Sequence, residues 1–191
     1  MKFEKICVFC ASSPNIDKEY MDAGEHLGET IAKKGLTLVY GAGKYGIMGA
    51  VARGAQKQNG YVLGVVPTFF EDNGVVLHNC SKIIYTETMR ERKGIMEDKA
   101  DAFIVMPGGI GTFEELYEIV TLKQLQRHEK PIIIYNYKNF YNKTIEILTD
   151  AVNENFIAKD VFKLFSIATS EDEIFEQLEN YVPCLYEKFT H

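Results

Sequence analysis

Basic residues are in short supply: 21 lysines and arginines stand against 27 aspartates and glutamates, a net charge of −6 over 191 residues. That balance argues against non-specific nucleic-acid binding, which needs a basic surface. Cysteine is scarce as well, with four in the chain. Cys7 and Cys10 form a C-x-x-C, but they lie in an apolar run that reads as a strand, where an odd separation sends them to opposite faces. Cys80 and Cys184 are isolated, so the expectation is reduced core thiols rather than a redox or zinc site. His26, His78, His128 and His191 show no ligand spacing, and neither a metal nor a cofactor is expected. No apolar stretch approaches membrane-spanning length, and no cleavage pattern follows Met1-Lys2-Phe3-Glu4-Lys5. These absences point to a cytoplasmic chain without a membrane partner. Hydrophobic residues at 46% and charged residues at 25% suit one domain, residues 1–191, with a sizeable core.

What the chain does have is alternation. Apolar strand-like runs at Lys5 to Ala11, Thr37 to Tyr40, Tyr61 to Val66, Lys82 to Thr86, Ala102 to Met106, Pro131 to Tyr135 and Phe165 to Ala168 are separated by helical patterns. The helices are expected at Asp17 to Lys34, from Ile47 to about Asn59, at Met89 to Lys99, from Thr112 to about Gln126, at Tyr141 to Glu154 and at Ser170 to Tyr181. Only Thr68 to Cys80 resists assignment, and its Phe69-Phe70 pair is expected to pack against something. Strand–helix alternation at this spacing predicts an α/β fold: a Rossmann-like, doubly wound parallel sheet with helices on both faces. Ligands of such sheets bind beyond the carboxyl ends of the strands. Three unusual loops all follow strands: Ser12-Ser13, Gly41 to Gly46, and Pro107 to Thr112. Their shared position places them on one edge.

Val105-Met106-Pro107-Gly108-Gly109-Ile110-Gly111-Thr112-Phe113-Glu114-Glu115 is the most informative stretch. Glycines there allow close backbone approach, and the free N–H groups of a helix start favour an anion, so a phosphate-bearing ligand is expected. Thr112-x-x-Glu115 also fits a capping box, a purely structural role. Ser170-x-x-Glu173 repeats that box with no glycine run before it, so the inference rests on the glycines. Gly41-Ala42-Gly43-Lys44-Tyr45-Gly46 matches the dinucleotide fingerprint, but no acidic residue ends the following strand to hold a ribose. Phosphate or nucleotide contact of another kind, or a tight turn alone, remain the readings there. In Met89-Arg90-Glu91-Arg92-Lys93, Arg92 shares the inward face with Met96 and needs a partner, either Glu115 or a ligand phosphate.

With these residues in view, the chain resembles the LOG ("Lonely guy") family, often mislabelled as lysine decarboxylases. Its P-G-G-x-G-T-x-x-E hallmark stands here as Pro107 to Glu115. The resemblance extends to Phe9-Cys10-Ala11-Ser12-Ser13, to Tyr40 through Ala52, to Arg92-Lys93, and to Leu116 through Pro131 and Asn139 through Ile157. It implies a homodimeric hydrolase that cleaves the N-glycosidic bond of nucleoside 5′-monophosphates, cytokinin riboside monophosphates or AMP, to free base and ribose 5-phosphate. By the same resemblance Arg92 and Glu115 are the catalytic pair, and Gly108, Gly109, Gly111 and Thr112 hold the phosphate. Ser12, Ser13, Gly43, Met89, Lys93, Ile110, Glu114 and Thr121 complete the expected substrate contacts. A carboxylate beside the anomeric carbon would stabilise oxocarbenium character and orient water. Arg92 would steer Glu115 or bind the phosphate, and Glu114 would hold a ribose hydroxyl. Departures from the family pattern at Arg90, Ala42 and Leu122 (the chain has no tryptophan) are expected to border the pocket and bear on base preference. The alternative is a nucleotide-binding sensor or carrier of the same fold without hydrolysis. A decarboxylase would need a Schiff-base lysine, for which Lys93 is the nearest and looks structural.

Overall fold

Strands that are apolar on both faces need cover on both, and parallel neighbours need crossovers to supply it. The computed structural model, which describes residues 3–183, meets both demands with one sheet. Cys184 and His191 lie outside the described residues. The strands are β1 (Lys5–Phe9), β2 (Thr37–Tyr40), β3 (Val62–Pro67), β4 (Lys82–Thr86), β5 (Ala102–Val105), β6 (Ile132–Tyr135) and β7 (Ser166–Ala168). Their order is β4-β3-β2-β1-β5-β6-β7, and every pairing is parallel. The expected Rossmann-like, doubly wound α/β fold is the fold observed.

Helices α1 (Lys18–Lys33), α2 (Gly46–Lys57) and α6 (Glu171–Glu179) cover one face. Helices α3 (Met89–Lys99), α4 (Ile110–Gln124) and α5 (Asn142–Asn153) cover the other. Strand alternation divides the core accordingly: Ile6, Val8 and Cys10 pack towards α1 and α2, whereas Cys7 and Phe9 pack towards α3 and α4. The two cysteines therefore stand on opposite faces as expected, both buried and unbonded. Burial pushes both thiols well above the ordinary range, so neither is a ready nucleophile.

Close packing of α1 on α2 depends on missing side chains. A Cβ on Gly28 would lie 2.0 Å from the Val51 carbonyl oxygen, and one on Gly54 would lie 2.0 Å from that of Glu25. The segment from Thr68 to Cys80 forms a short 3₁₀ turn at Thr68–Phe70 and then lies along the glycine loop after β2. Leu77 N–H donates to the Ala42 carbonyl at 2.8 Å, and Lys44 N–H donates to that of Val75 at 2.9 Å. Phe70 packs on the α1/α2 core; Phe69 meets Phe70 at 4.7 Å but is 49% exposed.

Candidate active site

The strand order reverses between β1 and β5, the place where sheets of this kind open a crevice. The three loops meet there because backbone hydrogen bonds tie them together. Ala11 N–H donates to the Pro107 carbonyl at 3.1 Å, and Met48 N–H, in the first turn of α2, donates to that of Ala11 at 3.0 Å. Gly46 sits against this junction with φ +60°, where a Cβ would lie 2.6 Å from the Ser13 carbonyl oxygen. Only glycine fits both the dihedral and the space.

Opposite stands a buried ion pair. Helix α3 opens with Thr88, whose hydroxyl accepts the Glu91 N–H at 3.1 Å, while the Glu91 carboxylate accepts the Glu87 N–H at 2.9 Å. Ser170 and Glu173 do the same at the start of α6, with Thr169 supplying the returned N–H. This start sets the phase of α3 so that Arg92 and Met96 face inward. The Arg92 Nη2 donates to Glu115 Oε1 at 2.9 Å, and the two residues are 7% and 5% exposed. The contact is single: Nη1 is 3.7 Å from Met89 Sδ, and Nε has no partner. Burial pushes the Glu115 carboxyl up to about 7, against a downward pull from Arg92. One N–O contact offsets only part of the desolvation, so burial wins. A carboxyl so placed exchanges its proton near neutrality.

The glycine-rich loop joins the pair from the other side. Helix α4 begins at Ile110, two residues before the expected Thr112, with extended Gly109 as its N-cap and no side-chain cap. The Thr112–Glu115 capping box is therefore corrected: both residues lie within the helix, Thr112 buried and Glu115 turned inward to Arg92. The first intrahelical bond runs from Phe113 N–H to the Gly109 carbonyl, so the amides of Ile110, Gly111 and Thr112 precede it. The glycines differ in what demands them. A Cβ on Gly108 would lie 2.1 Å from Thr112 Oγ1, so that glycine makes room for threonine. Gly109 and Gly111 have ordinary φ and nothing within 4 Å of a Cβ. Neither protein packing nor backbone conformation requires them, and their open side faces the cavity. By contrast, a Cβ on Gly41 would lie 2.4 Å from Arg92 Nη2, and one on Gly43 would lie 2.5 Å from Met48 Sδ. The fingerprint-like loop gives its space to the protein's own side chains.

Between pair and loop lies a cavity of about 280 Å³, lined by Ser12, Ser13, Met89, Arg92, Gly109, Ile110, Gly111, Thr112, Glu114 and Glu115, with Cys10, Ala11 and Met48. Two cavities adjoin it. One, of about 180 Å³, runs under Gly41–Tyr45 and shares Ser12, Met48 and Arg92. The other, of about 330 Å³, is almost wholly apolar and lies behind Pro107–Gly109 beside Tyr20 and Phe140.

A family model described as "possible lysine decarboxylase" matches residues 48–178. The cytokinin riboside 5′-monophosphate phosphoribohydrolase LOG of Oryza sativa subsp. japonica is 37% identical over 182 residues, 95% of this chain and 75% of that protein. Its Arabidopsis thaliana counterpart LOG2 is 35% identical over 182 residues, 95% of this chain and 85% of the relative. The chain belongs to the LOG family. The molybdenum cofactor carrier protein MCP of Chlamydomonas reinhardtii superposes with a TM-score of 0.71 at 18% identity, covering 93% of this chain and 99% of that one, a likeness of fold alone.

Of the contacts that the LOG resemblance implied, the structure gathers Ser12, Ser13, Met89, Gly109, Ile110, Gly111, Thr112 and Glu114 around Arg92 and Glu115. Gly108 borders the apolar neighbour and Gly43 the cavity under the second loop. Lys93 stands apart: its ammonium is held by Glu114 and, at 2.8 Å, by Glu118, tying α3 to α4. With that side chain only 14% exposed and engaged by two carboxylates, it is also a poor Schiff-base lysine. Thr121 is exposed three turns along α4 and reaches none of these cavities. The expectation that all three family departures border the pocket is corrected. Only Ala42 does; Arg90 is exposed and Leu122 half-buried, and neither lines these cavities. Ala42 holds φ +57°, a left-handed conformation natural to glycine. Met48, Val75 and Val76, which line these cavities, were not singled out from the sequence. Met48 falls on the apolar face of a helix and reads as core; the other two owe their place to contacts between distant segments.

Proposed function

We propose that this chain hydrolyses the N-glycosidic bond of a purine nucleoside 5′-monophosphate, releasing free base and ribose 5-phosphate. The observation that carries the reading is the buried Arg92–Glu115 pair facing the open sides of Gly109 and Gly111 across one cavity. The relatives named cytokinin riboside 5′-monophosphate phosphoribohydrolases support it. The phosphate sits on the amides at the start of α4. A helix start attracts an anion by only about 0.3–1 kcal/mol in exposed geometry, so specific N–H and hydroxyl bonds do most of the holding. That remote binding places the ribose against Glu115. As the C1′–N bond breaks, its electron pair leaves with the base and the sugar gains oxocarbenium character. The Glu115 carboxylate stabilises that charge and accepts a proton from the water that adds to C1′. The departing base takes up a proton from solvent or through Arg92, whose guanidinium group lines the cavity.

The expected substrates are AMP and nucleotides with a prenylated adenine. Incubation with AMP and with isopentenyladenosine monophosphate, followed by chromatography of the free base, tests the reading. Nucleotide binding without base release from either would establish the carrier or sensor alternative instead. A homodimer is part of the same proposal. Ile110, Tyr117 and Leu125 leave an apolar stripe on α4 that is 85%, 40% and 43% exposed, and Thr121 lies on that stripe. A substrate contact by Thr121 requires a second copy to bring it to a cavity. Light scattering on the purified chain measures the assembly.

A further inference from the structure

We propose that Tyr141 is a positioning residue that holds the phosphate loop in its binding shape, an inference that rests on the phosphoribohydrolase reading above. Tyr141 is fully buried just before α5 and touches neither the catalytic pair nor its cavity. Its hydroxyl donates to the Met106 carbonyl at 2.8 Å. Its ring meets that of Phe113 edge-on at 5.9 Å. Met106 and Phe113 are the residues on either side of Pro107–Thr112. One side chain therefore brackets the whole loop.

The reason a phenol is needed there lies in the β1–β5 ladder. Met106 N–H donates to the Phe9 carbonyl at 2.9 Å, so a regular parallel ladder would next bring Ala11 N–H to the Met106 carbonyl. Instead Ala11 N–H takes the Pro107 carbonyl. The ladder skips a residue where the loop departs, and the Met106 carbonyl would be left buried without a donor. The Tyr141 hydroxyl supplies one. Tyr141 is itself fixed: its N–H donates to Asn136 Oδ1 at 2.7 Å, and Asn136 Nδ2 donates to Asn142 Oδ1 at 2.8 Å. Burial raises the phenol well above its ordinary range, so it remains a donor at every working pH. Asn136 N–H bonds the Ala168 carbonyl of β7, and the chain from β6 to the loop forms one polar bracket.

The test compares Tyr141→Phe with the unmodified chain. Removing the hydroxyl keeps the ring and frees the Met106 carbonyl, letting the amides of Ile110, Gly111 and Thr112 drift. The expected result is a rise of about tenfold in KM for AMP and in the dissociation constant of ribose 5-phosphate, with a smaller change in kcat; a 1.4 kcal/mol loss corresponds to that factor. A variant with lower thermal stability but ribose 5-phosphate affinity within twofold of the original would overturn the proposal, since a merely structural tyrosine would behave so. Asn136→Ser, which leaves the phenol but releases the Tyr141 amide, should weaken ribose 5-phosphate binding in the same direction and serves if Tyr141→Phe fails to fold. Unchanged binding in that variant counts against the bracket equally. An unmodified chain that binds ribose 5-phosphate without hydrolysing AMP overturns only the hydrolase reading. One that binds neither AMP nor ribose 5-phosphate overturns both.

Discussion

Glu115 offers the most discriminating perturbation, because two opposed effects act on its charge. Burial at 5% exposure disfavours the carboxylate, and the single 2.9 Å contact with Arg92 favours it. With burial ahead, the folded-state value lies near 7 against an ordinary 4.5. The sign follows from linkage: a carboxyl raised by folding stabilises the native state fully below pH 4.5 and loses that contribution as pH rises through 7. At about 1.4 kcal/mol for each pH unit, the loss reaches about 3 kcal/mol. Glu115→Gln keeps the shape and does not titrate. Whatever constant offset arises from its altered contact with Arg92, the stability of the variant minus that of the original should climb by about 3 kcal/mol between pH 4.5 and 8.5. Urea unfolding at five pH values across that window measures the difference. A flat difference, or one that falls with pH, would refute the argument and show that the guanidinium at least offsets burial. The same variant should release no base from AMP while still binding it. In the unmodified chain base release should rise with pH through about 7, as the carboxylate forms.

Other perturbations isolate other parts of the site. Gly109→Ala and Gly111→Ala meet no protein atom, so stability should stay within about 1 kcal/mol, with Gly111→Ala favoured by helix propensity. Each should nonetheless raise KM for AMP at least tenfold by crowding the phosphate, and an unchanged KM would mean that no ligand backs onto those carbons. Ala42→Gly relieves a left-handed alanine by about 1–2 kcal/mol but forfeits about 0.8 kcal/mol of buried methyl and adds unfolded-state freedom, so it should be nearly neutral. Gly64→Ala alone places a Cβ 2.8 Å from that of Ala42 and should cost about 1–3 kcal/mol. The double variant should recover most of the loss; additive effects in denaturant titrations would exclude the contact.

Thirteen strands and helices were legible in the sequence because each carries its own period. Short apolar runs mark the strands, three to six residues each in the structure, and the helical spacing between them marks the crossovers. Alternation then implies a parallel sheet, and a parallel sheet puts the three loops on one edge. The inward face of Arg92 followed from the helix period, and the opposite faces of Cys7 and Cys10 from the two-residue period of a strand. The capping box misled for a local reason. A Thr-x-x-Glu pattern satisfies the same amides wherever it falls, and sequence does not show whether a buried arginine offers the glutamate a better partner.

What lay beyond the sequence is the work of contacts between segments far apart in the chain. The glycines of the second loop looked like a nucleotide cradle until Arg92, some fifty positions later, and Met48 were found filling their space. The segment after β3 has no period, and its role in holding that loop lies in two backbone bonds that no side chain announces. In the sequence Tyr141 reads as one more aromatic, at the start of a helix; only the skipped rung between β1 and β5 gives its hydroxyl a task. Periodicity is local and can be read along a chain, which is why the scaffold and the place of its crevice were legible. The charge state of Glu115, the shape of the phosphate loop and the reason for each glycine depend on which distant atoms arrive beside them, and folding alone brings those atoms together.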